Sequence, residues 1–170
     1  MDNQAATPIT MCLGAVTLAA GTTTTLSNTG TTVFAIKGKA YSKAAMSNAA
    51  TPTTDWATGA AFIGVTANNG CSFIIGLDSG GNLRAIQSTI QPLNTSGAFV
   101  RAPVFGGFAP AGSGSTDNDF CPIGYLIIKA GATANATTGW IFGTSNMSSV
   151  TGITYTFGDL VGWPDRPIIS

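Results

Sequence analysis

The chain has no histidine and no glutamate, and all seven of its acidic residues are Asp. Charged residues make up 8% of its 170 positions, against about 25% in an average soluble domain. Each absence excludes a chemistry. Without His there is no Ser-His-Asp triad, no Cys-His pair, no HExxH zinc site and no imidazole pH switch. Without Glu there is no Glu general acid and no EF-hand with its closing Glu. Seven Lys and Arg balance seven Asp, so the basic excess of a nucleic-acid binder is missing. No apolar run is long enough to span a membrane. The longest, residues 12–20, is broken by Thr17 and falls well short of about 18 residues. The stretch before it, MDNQAATPIT, holds no Lys or Arg, so it does not read as a signal peptide. Cys12, Cys71 and Cys121 are far apart and odd in number, which fits neither a disulfide framework nor a zinc site. They read as small buried hydrophobes of a protein made in a reducing cytosol.

What is present is small and neutral. Gly (22), Ala (24), Thr (25) and Ser (13) fill about half of the chain. The hydrophobic share of 44% is enough to fill a core. With Glu missing and Lys scarce, good helix formers other than Ala are lacking. Short alternating runs separated by turn residues predict an all-β protein, an antiparallel β-sandwich or jelly roll. The expected layout is an N-terminal arm over 1–11, one sandwich domain over 12–158 and a C-terminal tail over 159–170. Nine or ten strands are expected. Residues 13–18 and 22–26 are expected as the arms of a hairpin about Ala20-Gly21, with a strong strand over 31–37 and its continuation after a kink over 38–43. Residues 60–67 alternate, with Ile63 and Val65 on one face, and Asn68-Asn69-Gly70 reads as the hairpin turn that follows. Residues 71–77 place Cys71, Phe73, Ile75 and Leu77 on one face, and 78–82 form the next turn. Residues 122–129 are apolar on both faces and read as a central strand. Ile153, Tyr155 and Phe157 alternate with Thr. Phe34, Phe62, Phe73 and Phe142 are expected in the core. Residues 92–118 form the longest irregular stretch, a length usual for a functional or partner-bound loop.

Few residues invite a chemical role. Asp117-Asn118-Asp119 resembles half of a calcium loop, but the closing bidentate acid is absent, so a solvated turn is expected and no metal site. Gly80-Gly81 and Gly106-Gly107 lack the Lys-Ser/Thr of a phosphate loop, and no cofactor is expected. Seven Asp residues make a chance carboxylate pair common, so a hydrolase is not expected. The candidates that remain are for docking. Lys37, Lys39 and Lys43 have odd spacing, so one face of an extended segment could carry all three toward an acidic protein surface. The alternative is that they guard an edge strand against aggregation. Trp163, Pro164, Ile168 and Ile169 sit in a Pro-bearing tail, where a Trp outside the strand pattern suits a partner anchor.

One likeness adds to this. Gly76-Leu77-Asp78-Ser79-Gly80-Gly81-Asn82-Leu83-Arg84 resembles a hairpin recurrent in small virion structural proteins of tailed bacteriophages. Cys121-Pro122-Ile123-Gly124-Tyr125-Leu126 resembles the strand that follows it there. Residues 150–157, with Asp159 and a Pro-bearing end, are similar to the closing strand. The likeness covers residues 56–165. It implies a capsid decoration (cement) or head-fibre protein, made in the host cytoplasm and carried on the virion. The expected partners are the major capsid protein and further copies of the chain in a homotrimer, with no nucleic acid and no membrane. The alternative function is a receptor- or glycan-binding module of a phage fibre or tail. An enzyme is not expected.

Overall fold

The structure is a computed structural model, and it describes residues 9–105, 119–162, 168 and 169. Among these there is no helix and there are eleven strands. They are β1 (Met11–Cys12), β2 (Ala19–Ala20), β3 (Thr25–Ser27), β4 (Thr32–Ile36), β5 (Lys39–Lys43), β6 (Ala49–Ala50), β7 (Asn69–Leu77), β8 (Leu83–Gln87), β9 (Gln91–Pro92), β10 (Cys121–Ala130) and β11 (Ile153–Asp159). Every pairing between them is antiparallel. The protein is an all-β sandwich. A main sheet runs β11-β10-β7-β8, with β9 also paired to β7. Two smaller sheets, β1-β4-β5 and β2-β3-β6, pack on one of its faces.

The long strands form where the sequence is apolar on both faces, because both faces are covered. Cys71, Phe73, Ile75 and Leu77 of β7 point into the main cluster, together with Phe34 and Ile36 of β4 and Leu26 of β3. Ile74 and Ile86 point the other way, into a second cluster with Phe120, Ile127 and Ile168. The main cluster draws residues from Cys12 through to Phe157. All four phenylalanines expected in the core are buried there.

Strand β10 carries an irregularity that keeps its apolar side chains aligned. Pro122 pairs with Gly76 and Gly124 with Ile75, so Ile123 is an extra residue against β7. An unpaired residue in one strand reverses the alternation. That is why Cys121 and Ile123 share the main cluster with Leu126, Ile128 and Ala130. It also accommodates Pro122, which cannot donate to a ladder.

Several expectations are corrected. Residues 38–43 do not continue β4; the chain reverses at Lys37-Gly38. Both have positive φ, 50° and 77°, as a two-residue hairpin turn requires. Residues 60–67 are not a strand. Ala61 and Val65 make only isolated bridges, to Thr54 and Trp140. Ile63 is 67% exposed while Val65 is fully buried, so the two do not share a face. Asn68 turns the chain with φ 62°, but it leads into β7 from a loop rather than from a paired strand. A hairpin does turn after Ala20, but its arms are the short β2 and β3, and residues 13–18 are not a strand.

The start of the expected tail is tied into the fold. The Asp159 carboxylate accepts hydrogen bonds from the backbone N–H of Val16, Thr17 and Leu18. Leu160 N donates to Ile123 O, and Cys12 N to Val161 O. The Ser72 hydroxyl donates to Ile168 O at 2.7 Å. At the other end, Gly38 N donates to Ile9 O. Residues 1–8 of the expected arm lie outside the described residues.

All three cysteines are free and buried. Burial pushes the Cys71 thiol up to about 12, opposed by a side-chain hydrogen bond with Gln87. Burial and the neighbouring Cys12 push Cys121 up to about 12 as well. Both pKa values are raised above the unfolded value of 9.0. The neutral thiols therefore contribute stability that is complete below pH 9 and is lost as pH rises toward 12. Above pH 9 the unfolding free energy should fall by up to about 1.4 kcal/mol per pH unit for each thiol. Urea unfolding at pH 8 and pH 10.5 measures this. A Cys71→Ala variant should show a shallower fall between the two, and an identical fall would contradict the assignment.

Candidate functional site

The sheet β1-β4-β5 has two unlike faces. Its inner face carries Cys12, Phe34, Ile36 and Tyr41, all packed into the main cluster. Phe34 and Tyr41 stack with ring centroids 5.5 Å apart. The register then fixes the outer face, because side chains alternate along a strand. Met11 lies opposite Ala35, and Ala35 opposite Ala40. Leu13 N donates to Val33 O, and Val33 lies opposite Ser42. Met11, Leu13, Val33, Ala35, Ala40 and Ser42 therefore make one outward face with no charge on it. Leu13 is 54% exposed and Val33 42%. Val161, also exposed, adjoins this face through its bond to Cys12.

The three lysines do not act as one row. Lys37 sits in the hairpin turn and is exposed. Lys39 and Lys43 alternate with Ala40 and Ser42, so they lie on the Tyr41 side of the edge strand β5. The Lys39 ammonium rests 5.3 Å from the Tyr41 ring centroid. This placement fits edge protection for Lys39. Lys43 lies against the turn between β7 and β8. A Cβ placed on Gly81 would lie 3.3 Å from Lys43 Cδ and 3.9 Å from its Nζ.

That turn is built on Asp78, which is buried. Its carboxylate accepts from Asn82 N at 2.8 Å and from Asn82 Nδ2. Arg84 donates to it through Nε at 3.0 Å and lies 2.9 Å away through Nη2. Burial alone would raise the Asp78 pKa, but the bonds from Asn82 and Arg84 outweigh it and hold the carboxyl below its ordinary value. The Arg84 guanidinium also lies over the Trp56 ring, 4.4 Å from its centroid. A cleft of about 290 Å³ opens beside this turn. Lys43, Asn82 and Arg84 line it, over an apolar base that includes Met46, Pro52 and Leu83.

The remaining candidates are distributed elsewhere. Ile168, expected to be free for a partner, is 7% exposed and packs into the second cluster, because the apolar outer side of the main sheet needs a cover. Ile169 is exposed. Trp163 and Pro164 lie outside the described residues, as does Asp117. Asp119 accepts from Ser79 N and from the Ser79 hydroxyl, which ties it to the 78–82 turn. Among the described residues, no group of three or more His, Cys, Asp or Glu is placed to hold a metal. No family model, curated protein or solved structure matches the chain.

Sequence reasoning missed both the outer sheet face and the cleft. The signal for the first was Gly38. Read as a turn, it folds β5 back onto β4 and brings Val33, Ala35 and Ala40 together.

Proposed function

We propose that this chain is a decoration, or cement, protein on the head of a tailed bacteriophage. It binds the outside of the shell as a homotrimer and contacts several copies of the major capsid protein. The observation that carries the reading is the charge-free outer face of the sheet β1-β4-β5, on a chain whose composition already suits burial against neighbours. The likeness over residues 56–165 supplies the kind of particle. Exposed apolar side chains grouped on one face favour association, and charged residues are depleted at interface cores. The mechanism is mass action: a group that binds the assembled shell and not its separated parts stabilises the shell. A trimer that engages several subunits gains effective concentration, so modest single contacts add up to strong attachment. The chain's work in this reading is holding, not catalysis.

Quantitative mass spectrometry of purified particles tests it. Hundreds of copies per particle are expected. Tens or fewer would place the chain in a fibre or tail, where receptor or glycan binding becomes the better account.

A further inference from the structure

We propose that the cleft between Lys43 and the 78–82 turn is a binding site for a carboxylate, and that its natural occupant is an acidic side chain of a partner protein. Three observations carry this. The first is the supply of charge. Among the described residues the only ion pair is Arg84 with Asp78. Among the described residues the Lys43 ammonium therefore has no carboxylate partner, although it borders the cleft. Arg84 spends Nε and Nη2 on one oxygen of Asp78, which leaves Nη1 as a further donor.

The second is rigidity. Asp78 holds both Asn82 and Arg84, and Trp56 supports the guanidinium from its other side. Donors fixed in advance lose less conformational freedom when a ligand arrives. Gly81, at φ 73°, lets the backbone pass beneath Lys43 without a side chain in the way.

The third is size and lining. About 290 Å³ falls just below the roughly 300–1,000 Å³ usual for small-ligand pockets. That suits one side chain or one sugar ring. Among the described residues no aromatic side chain lines the cleft, and the face of Trp56 is taken by Arg84. A sugar would therefore find no ring to stack on, whereas the methylenes of an acidic side chain can lie on Met46, Pro52 and Leu83. That the partner is a capsid subunit rests on the function proposed above; the affinity of the cleft for a carboxylate does not.

The test uses the free, full-length chain in solution, so its outcome is independent of any particle. Amide shifts are followed by NMR during separate titrations with N-acetyl-glutamate N-methylamide, D-glucuronate and inorganic phosphate at constant ionic strength. The capped glutamate should shift Gly81, Asn82 and Arg84 saturably in the millimolar range. Lys43→Gln should weaken it at least roughly tenfold, the loss of one charge-assisted hydrogen bond. Lys43→Arg should retain most of the affinity, and the spectra themselves show whether each variant is folded. Three results would overturn the carboxylate site: no saturable shift, phosphate binding as tightly as the capped glutamate, or no effect of Lys43→Gln; glucuronate binding as tightly would overturn the acidic side chain as its occupant. If the site fails and the copy number is high, only the cleft assignment is lost. If the site holds and the copy number is low, the carboxylate belongs to a different partner.

Discussion

Phe73→Ala is expected to lower the unfolding free energy by about 3–5 kcal/mol. Phe73 is fully buried in the middle of β7, with β10 on one side and β8 on the other. Its ring stacks on Phe142 at 4.8 Å and meets Phe62 and Trp140 edge-on at 5.7 and 6.0 Å. Truncation removes the buried ring, leaves a cavity among rigid neighbours and breaks three aromatic contacts at once. Such pairs contribute about 0.5–1.5 kcal/mol each beyond their buried area. Native domains have only about 5–15 kcal/mol in total, so the variant should be close to the limit of folding. Ile63→Ala is the control. Ile63 is exposed, and its loss should change stability by no more than about 0.5 kcal/mol. Urea unfolding followed by tryptophan fluorescence measures both. Equal effects from the two changes would contradict the packing described here.

The contrast between those two residues shows what was readable in the chain. In 122–129 apolar residues fall on both faces over a long run, which a doubly covered strand needs and few other elements tolerate, and in 71–77 Cys71, Phe73, Ile75 and Leu77 share one face. Those two became the centre of the main sheet. In 60–67 the same alternation misleads, because it is only a local pattern. Ile63 N is bonded to the Gln87 side chain instead of to a neighbouring strand. The reversal at Lys37-Gly38 was missed because Lys rarely adopts positive φ, whereas Asn-Gly would have announced the turn. The Asn68 turn was read correctly as a turn and wrongly as a hairpin, since nothing local says what the preceding segment pairs with.

The candidate sites were less legible for a related reason. Leu13 and Val33 are twenty positions apart, and only pairing of β1 with β4 makes them neighbours. Lys43 meets Asn82 and Arg84 across two different sheets. Asp159 looked like the first residue of a free tail, yet its carboxylate caps three backbone amides in a segment more than 140 positions earlier. Composition pointed to a surface that prefers company; only the register shows which surface is free of charge.

The proposed docking face makes the other large prediction. Leu13→Glu with Val33→Glu places two carboxylates on the outer face of β1-β4-β5. Folding should tolerate them, because both side chains point toward solvent in the free chain. The expected loss of stability is about 1 kcal/mol, mostly from β propensity at Val33. Docking should not tolerate them. Each carboxylate would be stripped of water against an apolar contact with no partner, at a cost of several kcal/mol. Since every 1.4 kcal/mol is about tenfold in affinity, at least about a hundredfold loss is expected per contact, multiplied again where copies bind together. The decisive measurement is the occupancy of wild type and double variant on particles freed of the native chain, with urea unfolding of both in parallel. The account predicts near-complete loss of occupancy for a variant that remains folded. Full occupancy of the folded double variant would contradict it, because the face could not then be the one that holds the shell.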